Sequence, residues 1–472
     1  MSTFDSTPNS APNSAPNIDP TIFKAYDVRG IVDRTLTEEA VYWIGRALGA
    51  EAEARGEQHV YVARDGRLSG PKLIAALTRG LTEAGRDVTD LGMVPTPVLY
   101  YAAYELGSGS GIMITGSHNP PEYNGLKMVL GGTTLSGPDI QQLHRRIEEG
   151  DLSEGSGSVA TADVVAQYIK RITSDVKLAK PMKVIVDCGN GVAGVVAPQL
   201  LRELGCEVVE LFCNVDGNFP NHHPDPSQPE NLIDLKQALA EQQADIGLAF
   251  DGDGDRLGVV TPTGNVIWAD RQMMLYAQDV LSRNPGGEII YDIKCTTHLH
   301  TIIEQAGGKA TMWKTGHSFV KAKLKESGAH LAGEMSGHIF FKERWYGFDD
   351  ATYTAARLLE ILAKDGRPAD EIFGALPDSI NTPELQFTTA EGENHPLVER
   401  LVATANFPDA KITTIDGLRV DFVDGFGLVR ASNTTPCLVF RFEATNENGL
   451  KRIQDEFRQL LATQVPDAEL PF

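Results

Sequence analysis

A serine in a short loop ending in prolines is the first residue that could do covalent chemistry. Ser117 follows an apolar run, Gly111–Ile114, within the sequence Thr-Gly-Ser-His-Asn-Pro-Pro. Gly116 permits a sharp turn and the two prolines stop a helix from continuing, so the loop presents the hydroxyl at its tip. His118 and Lys127 follow closely, and a base with a nearby cation can activate a hydroxyl. For a Ser-His pair considered alone, a polar loop without a catalytic role is the alternative.

Three aspartates separated by glycines form a second candidate site. The strand predicted over Asp245–Phe250 runs directly into the hexapeptide DGDGDR, which begins at Asp251. Carboxylates at alternating loop positions can direct their oxygens to one hard cation, and without a cation they repel one another. An EF-hand loop has glycine at its sixth position and glutamate at its twelfth, where this chain has Arg256 and Pro262. The pattern therefore favours Mg²⁺ holding a phosphate oxygen, with Arg256 as a further phosphate contact.

Three further polar loops have the composition of sugar-phosphate sites. Gly333–His338 (GEMSGH) places a carboxylate, a hydroxyl and an imidazole between glycines, a set that can hydrogen-bond to sugar hydroxyls. Arg430–Pro436 (RASNTTP) combines a guanidinium with hydroxyls, an amide and backbone N–H groups, which suits phosphate. Thr315–Ser318 is also polar. The alternatives are a buried polar network for the first and third loops and a polar turn for the second.

A glycine-rich turn offers a competing interpretation. Gly189–Gly194 (GNGVAG) is a formal G-x-G-x-x-G motif after a predicted strand and before a predicted helix. Glu210 follows at the distance where a dinucleotide-binding fold has its ribose-binding acid. The motif alone permits a nicotinamide or flavin cofactor. Glycines that let a helix pack tightly on a strand are the alternative.

The overall composition is acidic, with 42 Lys and Arg against 64 Asp and Glu and a formal net charge of −22. This charge disfavours nucleic acid and anionic membranes as partners, because both require a cationic surface. No run of about 18 apolar residues is present, so no transmembrane helix is expected. Residues 1–20 lack the features of a signal peptide and are predicted to be a disordered tail. Five scattered cysteines without Cys-x-x-Cys indicate a reduced, cytoplasmic protein with neither disulfides nor a zinc site.

Alternating strands and helices must position these loops, and the hydrophobic pattern predicts that alternation. The predicted strands are Val60–Ala63, Val88–Leu91, Gly111–Ile114, Leu126–Leu130, Lys183–Asp187, Glu207–Phe212, Asp245–Phe250, Glu288–Asp292, Lys309–Trp313 and Cys437–Glu443. The predicted helices are Leu36–Ala54, Pro71–Ala84, Val98–Glu105, Ala162–Leu178, Val195–Leu204, Asn231–Gln243, Asp270–Ser282, Thr297–Ala306 and Asp349–Ala363. This order predicts βαβ units with largely parallel sheets. The length of 472 residues corresponds to about three or four domains.

Four of these segments occur together in a known family. TGSHNP, DGDGDR, GEMSGH and RASNTTP, in this order between Tyr26 and Thr435, resemble the α-D-phosphohexomutases, most closely the phosphomannomutase/phosphoglucomutase branch. Phosphoglucosamine mutases usually have Gln in place of Met335 and Ala in place of Gly116. The resemblance implies an α/β fold with four domains around a central cleft. The first three would be similar α/β domains with mixed sheets, and the fourth a smaller α+β phosphate-binding domain. The expected boundaries are 21–162, 163–265, 266–378 and 379–472, and Gly189–Gly194 would be a helix-packing turn.

The resemblance also implies roles for individual residues. Ser117 would be a phosphoserine. The residues that would take part in phosphoryl transfer are Ser117, Lys127, His338, Arg29 and His118. The residues that would bind the substrate are Tyr26, Asn119, Arg256, Lys294, His317, Glu334, Ser336, Arg430, Ser432, Asn433, Thr434 and Thr435. The residues that would hold Mg²⁺ are Ser117, Asp251, Asp253 and Asp255.

The implied activity is the interconversion of hexose 1-phosphate and hexose 6-phosphate, with mannose, glucose or both as the sugar. Phosphate on Ser117 would pass to the sugar, and a glucose or mannose 1,6-bisphosphate would be the intermediate and activator. A Mg²⁺-dependent phosphatase and a non-catalytic sugar-phosphate sensor are the alternatives. The intact Ser117 and the three aspartates argue against a sensor, and Arg430–Thr435 argues against a simple phosphatase. The expected partner is a small phosphosugar, and the expected form is a cytoplasmic monomer.

Overall fold

The computed structural model describes residues 18–466 and 468–472. Most of the predicted tail, residues 1–20, lies outside this part of the chain. Ile18 is described, and it packs with Ile22 and Phe23 in the core of the first sheet and its helices. None of the described helices is long and apolar enough to cross a membrane.

A mixed seven-stranded sheet forms the first unit. Strands β1–β7 span Val28–Ile31, His59–Arg64, Asp87–Met93, Gly111–Ile114, Tyr123–Leu130, Thr133–Thr134 and Val159–Thr161. Helices α1–α4 span Glu38–Ala54, Gly70–Glu83, Thr96–Glu105 and Pro138–Glu149. The strand order is β1-β5-β4-β2-β3-β7, with β6 beside β5. Strands β2, β3, β4 and β7 are parallel, as the βαβ pattern predicts, whereas β5 runs antiparallel to β4.

The second unit has a five-stranded sheet. Helices α5–α7 span Val165–Asp175, Ala197–Glu203 and Ile233–Gln242. Strands β8–β12 span Lys183–Asp187, Glu207–Leu211, Ile246–Phe250, Leu257–Val260 and Val266–Ile267, in the order β12-β11-β10-β8-β9. The helix predicted over Ala162–Leu178 is shorter at both ends than expected. At its start, the carboxylate of Asp163 accepts a hydrogen bond from the backbone N–H of Val165, which the helix leaves unpaired.

The third unit has a four-stranded sheet. Helices α8–α12 span Ala269–Arg283, Thr297–Gln305, His317–Ser327, Ala351–Asp365 and Ala369–Gly374. Strands β13–β16 span Glu288–Asp292, Lys309–Trp313, Leu331–Gly333 and Ile339–Phe341, in the order β14-β13-β15-β16. His317 and Ser318, predicted in a polar loop, are instead the first residues of α10. The preceding Gly316 has a φ of +132°, a backbone conformation that glycine adopts without strain.

The first three units repeat one connection. In each sheet, a strand that is parallel to its inner neighbour turns back through a short loop into an antiparallel strand. These pairs are β4–β5, β10–β11 and β15–β16. The three loops are those of Ser117, of the aspartates that begin at Asp251, and of Glu334. Topologically equivalent connections therefore carry the three strongest sequence motifs of the first three units.

The fourth unit is an antiparallel sheet with helices α13 and α14 at Asn394–Thr404 and Glu447–Ala462. Strands β17–β22 span Ile380–Asn381, Leu385–Thr388, Lys411–Thr413, Leu418–Phe422, Gly425–Ala431 and Cys437–Ala444. The order is β17-β22-β21-β20-β19, with β18 beside β22. Arg430 is the last residue but one of β21, and the loop to β22 contains Ser432–Pro436. This unit has its own apolar core, whereas one continuous core joins parts of the first three. The fold is therefore three similar mixed α/β units and a smaller α+β unit, as expected.

Candidate active site

Ser117 lies against the aspartate loop of the second unit. Its hydroxyl donates to Asp251 Oδ2 at 2.9 Å, and its Oγ is 3.2 Å from His118 Nδ1. The side chain is buried and the backbone φ is +47°, an uncommon conformation for a residue other than glycine. A Cβ on Gly252 would lie 2.3 Å from the carbonyl oxygen of Ser117. Glycine at that position therefore lets the two loops touch.

The three aspartates are buried and differ in their partners. Asp251 Oδ1 accepts backbone hydrogen bonds from Gly254 and Asp255 at 3.0 Å and from Arg256 at 3.2 Å. Lys127 pairs with the other two carboxylates, and its Nζ is 2.7 Å from Asp253 Oδ2. Thr96 donates to the same oxygen at 2.6 Å. Lys127 lies on β5 and Thr96 on α3, so the first unit is joined to the aspartate loop by charge as well as by the contact of the serine loop.

This arrangement fits a divalent cation. Each aspartate can offer one oxygen within 4.8 Å of the others. Among the described residues, none donates a hydrogen bond to Oδ1 of Asp253 or of Asp255, although both oxygens are buried. Burial and the two neighbouring carboxylates raise the pKa of Asp251 well above its usual range. A hard cation would satisfy the free oxygens and relieve this repulsion. Asp255, His338 and Asp349 form a second group whose possible ligand atoms also lie within 4.8 Å of one another.

The imidazole of His338 is held between an arginine and two carboxylates. Its Nε2 accepts from Arg256 Nε at 2.9 Å, and its Nδ1 lies 3.0 Å from Asp349 Oδ2 and 3.5 Å from Asp255 Oδ1. Since Nε2 accepts a hydrogen bond, the neutral ring carries its proton on Nδ1. His317 stacks on His338 with 5.6 Å between ring centroids. Sequence reasoning missed Asp349 because it assigned this residue only to the start of a helix.

Glu334 and Ser336 lie in the loop between β15 and β16. Glu334 is buried, and its Oε1 accepts from the backbone N–H of Gly316 at 2.5 Å. Burial raises the pKa of its carboxyl group. Ser336 is half-buried. Tyr26 of the first unit packs edge-on against His317 at 5.4 Å, which brings the first and third units together at this loop.

The polar loop of the fourth unit faces the third. Arg430 is buried, its Nε donates to Asp416 Oδ2 at 3.0 Å, and its Nη2 has no hydrogen-bond partner in the described part of the chain. Asp416 also accepts from the backbone N–H of Thr315 at 3.0 Å. Nearby, Lys294 pairs with Glu384 at 2.5 Å. Asp416 and Glu384 were not predicted, because their basic partners lie on other elements. The remaining loop side chains are half-buried or exposed: Ser432, Asn433, Thr434 and Thr435.

Arg29 and Asn119 contact each other beside the serine. Arg29 Nη1 donates to Asn119 Oδ1 at 2.8 Å, and the guanidinium pairs with Asp27. His118 is half-buried, and desolvation with the nearby Arg256 lowers its pKa well below the usual range. The structure therefore brings the predicted catalytic residues and aspartates around Ser117. The polar loop of the fourth unit lies beside Thr315 and Lys294 of the third unit.

The glycine-rich turn has a packing role. A Cβ on Gly194 would lie 1.9 Å from the carbonyl oxygen of Cys213, and one on Gly191 would lie 3.0 Å from Gly252. These glycines contact protein backbone, which leaves no space for a pyrophosphate. Glu210 forms an ion pair with Arg202 at 2.6 Å. The geometry argues against the dinucleotide interpretation.

Models of the phosphoglucomutase/phosphomannomutase family match the chain in four segments. The three α/β/α domain models match residues 20–154, 166–264 and 268–380, and the C-terminal domain model matches residues 384–460. The four matched segments include the four polar loops described above.

Individual relatives match over nearly the whole chain. A phosphomannomutase/phosphoglucomutase of Pseudomonas aeruginosa PAO1 is 58% identical over 452 residues, 96% of this chain and 98% of that protein. A phosphoglucomutase of Neisseria gonorrhoeae is 56% identical over 444 residues, 93% of this chain and 96% of that protein. The crystal structure of a phosphoglucomutase/phosphomannomutase family protein from Burkholderia thailandensis superposes with a TM-score of 0.92. It has 56% identity and covers 97% of this chain and 100% of that one.

Proposed function

The chain belongs to the phosphoglucomutase/phosphomannomutase family and is a hexose-phosphate mutase, and we propose that Ser117 carries the transferred phosphoryl group. The observation that supports this role is the position of Ser117 Oγ. It lies 2.9 Å from Asp251, at the contact between the serine loop and a carboxylate cluster that can hold a cation. Phosphoryl transfer depends mainly on positioning and on neutralisation of charge, and both are available at this atom.

The cycle begins with phosphate on Ser117. O6 of a hexose 1-phosphate attacks the phosphorus, and the O6–P bond forms as the Oγ–P bond breaks. The O6 proton passes to a base, and an acid protonates the leaving Oγ. The 1,6-bisphosphate then reorients in the site. Ser117 Oγ returns its proton and forms a bond to the phosphorus on O1 as the O1–P bond breaks, and the base gives its proton to O1. Hexose 6-phosphate leaves, the serine is phosphorylated again, and no net phosphate is consumed.

We assign proton transfer to His338 and Lys127. The ring of His338 is oriented by Arg256 on one nitrogen and faces Asp349 on the other. Burial alone would lower the pKa of Lys127, but Asp253 and Asp255 outweigh burial and raise it. Lys127 therefore begins the cycle protonated and suits the role of acid or counter-charge. His338 would act as the base through Nε2, after the substrate hydroxyl replaces Arg256 as the donor to this nitrogen. Arg29 supplies further positive charge, and His118 stays neutral beside Oγ.

Asp251, Asp253 and Asp255, together with phosphate on Ser117, are the groups that would hold Mg²⁺. When bound, Mg²⁺ would neutralise charge on the transferred phosphoryl group. Glucose or mannose 1,6-bisphosphate is the proposed activator, because a cycle of this kind needs a donor to phosphorylate Ser117 once. The substrate would be oriented by contacts of its sugar hydroxyls with Glu334, Ser336 and His338.

We propose that the fourth unit holds the phosphate that does not react. Nη2 of Arg430 has no hydrogen-bond partner among the described residues. The loop itself offers hydroxyl, amide and backbone N–H groups from Ser432, Asn433, Thr434 and Thr435, of which the N–H groups of Thr434 and Thr435 now donate to Ser432 Oγ. Tyr26, Arg256, Lys294 and His317 would line the cleft between this loop and Ser117. Both phosphate positions of the bisphosphate would occupy this loop in turn.

Replacing Arg430 with methionine should weaken substrate binding more than catalysis. The charge-assisted hydrogen bonds of a guanidinium to phosphate contribute enough that KM should rise about 10- to 100-fold. Because the contact is the same before and during transfer, kcat should change much less. Steady-state kinetics with glucose 1-phosphate provide the measurement. Arg452→Met, on the surface of the same unit, is the control and should keep the wild-type KM. An unchanged KM in Arg430→Met would contradict the proposed phosphate loop.

A coupled assay tests the proposed function as a whole. Glucose 1-phosphate and mannose 1-phosphate are supplied separately with Mg²⁺ and a trace of glucose 1,6-bisphosphate, and hexose 6-phosphate is measured. We expect turnover of both sugars, since Glu334 and Ser336 can bond to O3 and O4 in either. Release of inorganic phosphate without isomer would indicate a phosphatase, and binding without turnover would indicate a sensor.

We also propose the domain boundaries 21–162, 163–265, 266–378 and 379–472, a monomeric state and a cytoplasmic location. The acidic net charge of −22 supports the absence of nucleic acid and anionic membrane partners. Light scattering coupled to size-exclusion chromatography would test the monomer directly.

A further inference from the structure

A buried ion pair lies directly beneath the serine loop. Asp65 and Arg67 follow β2, and both are almost completely buried. Arg67 Nε donates to Asp65 Oδ2 at 3.2 Å. A Cβ on Gly116 would lie 2.3 Å from the guanidinium carbon, so the loop rests on the guanidinium itself.

The other donors of Arg67 all go to backbone carbonyls of the serine loop. Nη2 donates to the carbonyls of Ser117 at 2.8 Å and Asn119 at 2.6 Å. Nη1 donates to those of Pro120 at 2.6 Å and Tyr123 at 2.9 Å. Arg67 thus uses its full set of five N–H groups, four of them on one loop. A lysine, with one nitrogen on a flexible stem, cannot reproduce this fork.

Asp65 holds the other side of the same loop. Its Oδ2 accepts from the backbone N–H of Gly116 at 3.0 Å and from Thr115 Oγ1 at 2.8 Å. Thr115 Oγ1 in turn accepts from the backbone N–H of Ser117 at 2.8 Å. Hydrogen bonds therefore join Ser117 to both members of the buried ion pair. Its backbone N–H is linked through Thr115 to Asp65, and its carbonyl oxygen accepts directly from Arg67.

We propose that Asp65 and Arg67 are positioning residues that hold Ser117 in its left-handed backbone conformation with Oγ directed at the aspartate cluster. This inference rests on the proposed role of Ser117 as phosphoryl carrier. A serine at a φ of +47° would relax to an ordinary conformation without external contacts, and that relaxation would move Oγ away from Asp251. The pair acts through the serine loop, beneath which both side chains are almost completely buried.

The test uses the full-length chain with Arg67→Lys, which keeps the charge and removes the fork. Glucose 1,6-bisphosphate is added to the dephosphorylated protein, and intact-mass spectrometry follows phosphorylation of Ser117. Because misplacement of a reacting atom by about 1 Å costs about 100-fold, we expect phosphorylation and kcat to fall by about that factor. KM should stay within about threefold. The dissociation constant for glucose 6-phosphate, measured in a Ser117→Ala background, should not change on adding Arg67→Lys.

Arg357→Lys is the matched control. Arg357 is also fully buried and paired with carboxylates, Asp279 and Glu343, but it lies away from the serine. Phosphorylation of Arg67→Lys at the wild-type rate would overturn the inference. If wild-type protein itself is not phosphorylated on Ser117, the proposed function fails instead.

A second variant decides the case in which Arg67→Lys does not fold. Thr115→Val keeps the shape of the side chain and removes the hydroxyl that links Ser117 to Asp65. We expect its phosphorylation to be about tenfold slower, with unchanged glucose 6-phosphate binding in the Ser117→Ala background. A wild-type rate in Thr115→Val would overturn the inference.

Discussion

Ser117→Ala should reduce kcat for conversion of glucose 1-phosphate by at least about 10,000-fold, the order of loss expected when a covalent nucleophile is removed. The substitution deletes the only atom on this loop that the proposed cycle phosphorylates. The remaining residues would still bind substrate, so the dissociation constant for glucose 6-phosphate should change little. The measurement is the coupled mutase assay with glucose 1,6-bisphosphate supplied, together with intact-mass spectrometry of the protein.

Ser110→Ala is the matched control for this substitution. Ser110 is a buried serine of the same unit whose hydroxyl donates to Glu57 at 2.9 Å, away from the aspartates. It should keep wild-type kcat. Mutase activity of Ser117→Ala within about tenfold of wild type would exclude a phosphoserine cycle. Loss of activity with wild-type phosphorylation elsewhere on the chain would assign the nucleophile to another residue.

The buried strands were the most predictable elements of the fold. The predicted bounds of Gly111–Ile114, Lys183–Asp187 and Glu288–Asp292 match the buried strands β4, β8 and β13, and those of Lys309–Trp313 match β14, an edge strand that is half-buried or exposed. Strands with helices on both faces are continuous apolar runs, and the end of such a run marks the end of the strand. Helix ends were less predictable, as at α5, because side-chain caps and tertiary packing decide the last turn.

The hydrophobic pattern alone could not give the direction of every strand, because direction also depends on how neighbouring strands are connected and paired. The βαβ order predicts parallel neighbours, and this is correct for β2, β3 and β4. A short loop between two strands requires an antiparallel pair, and β4–β5 has that geometry. The loop of Ser117 is such a turn. The sequence therefore identifies the Ser117 loop as a motif. It does not show that this loop lies where the strand direction reverses, between β4 and β5.

In the candidate site, residue types were predictable and several partners were not. Asp349, Glu384 and Asp416 each pair with a predicted residue that lies outside their own element, and Glu384 and its partner Lys294 are 90 residues apart. A lone acid in a sequence gives no indication of which base it will meet. Lys127 was predicted near Ser117, but its contacts with Asp253 and Asp255 come only from the packing of the first unit on the second.

Asp253→Asn should weaken cation binding and leave the fold intact. The substitution removes one of three carboxylate charges and leaves Thr96 and Lys127 beside an amide of the same shape. The affinity for Mg²⁺ should fall at least about tenfold, since carboxylate charge is the main source of affinity for a hard cation. The aspartates are shielded from water, where a bound cation stabilises the charge of the transition state strongly. Loss of Mg²⁺ at low Mg²⁺ concentration should therefore reduce kcat about 100- to 1,000-fold. Higher Mg²⁺ should recover part of that loss.

Manganese binding, measured by electron paramagnetic resonance, gives a readout that does not depend on turnover. Asp370→Asn is the control: Asp370 bonds to Thr261 and Thr263 outside the cluster, so its loss should leave Mn²⁺ binding unchanged. Equal Mn²⁺ affinity in Asp253→Asn and wild type would contradict a site at these aspartates. Reduced affinity in Asp253→Asn alone would place the cation beside Ser117 Oγ, because Asp251 of the same cluster already bonds to that atom. Neutralisation of charge would then be available beside the nucleophile, as phosphoryl transfer between serine and sugar needs.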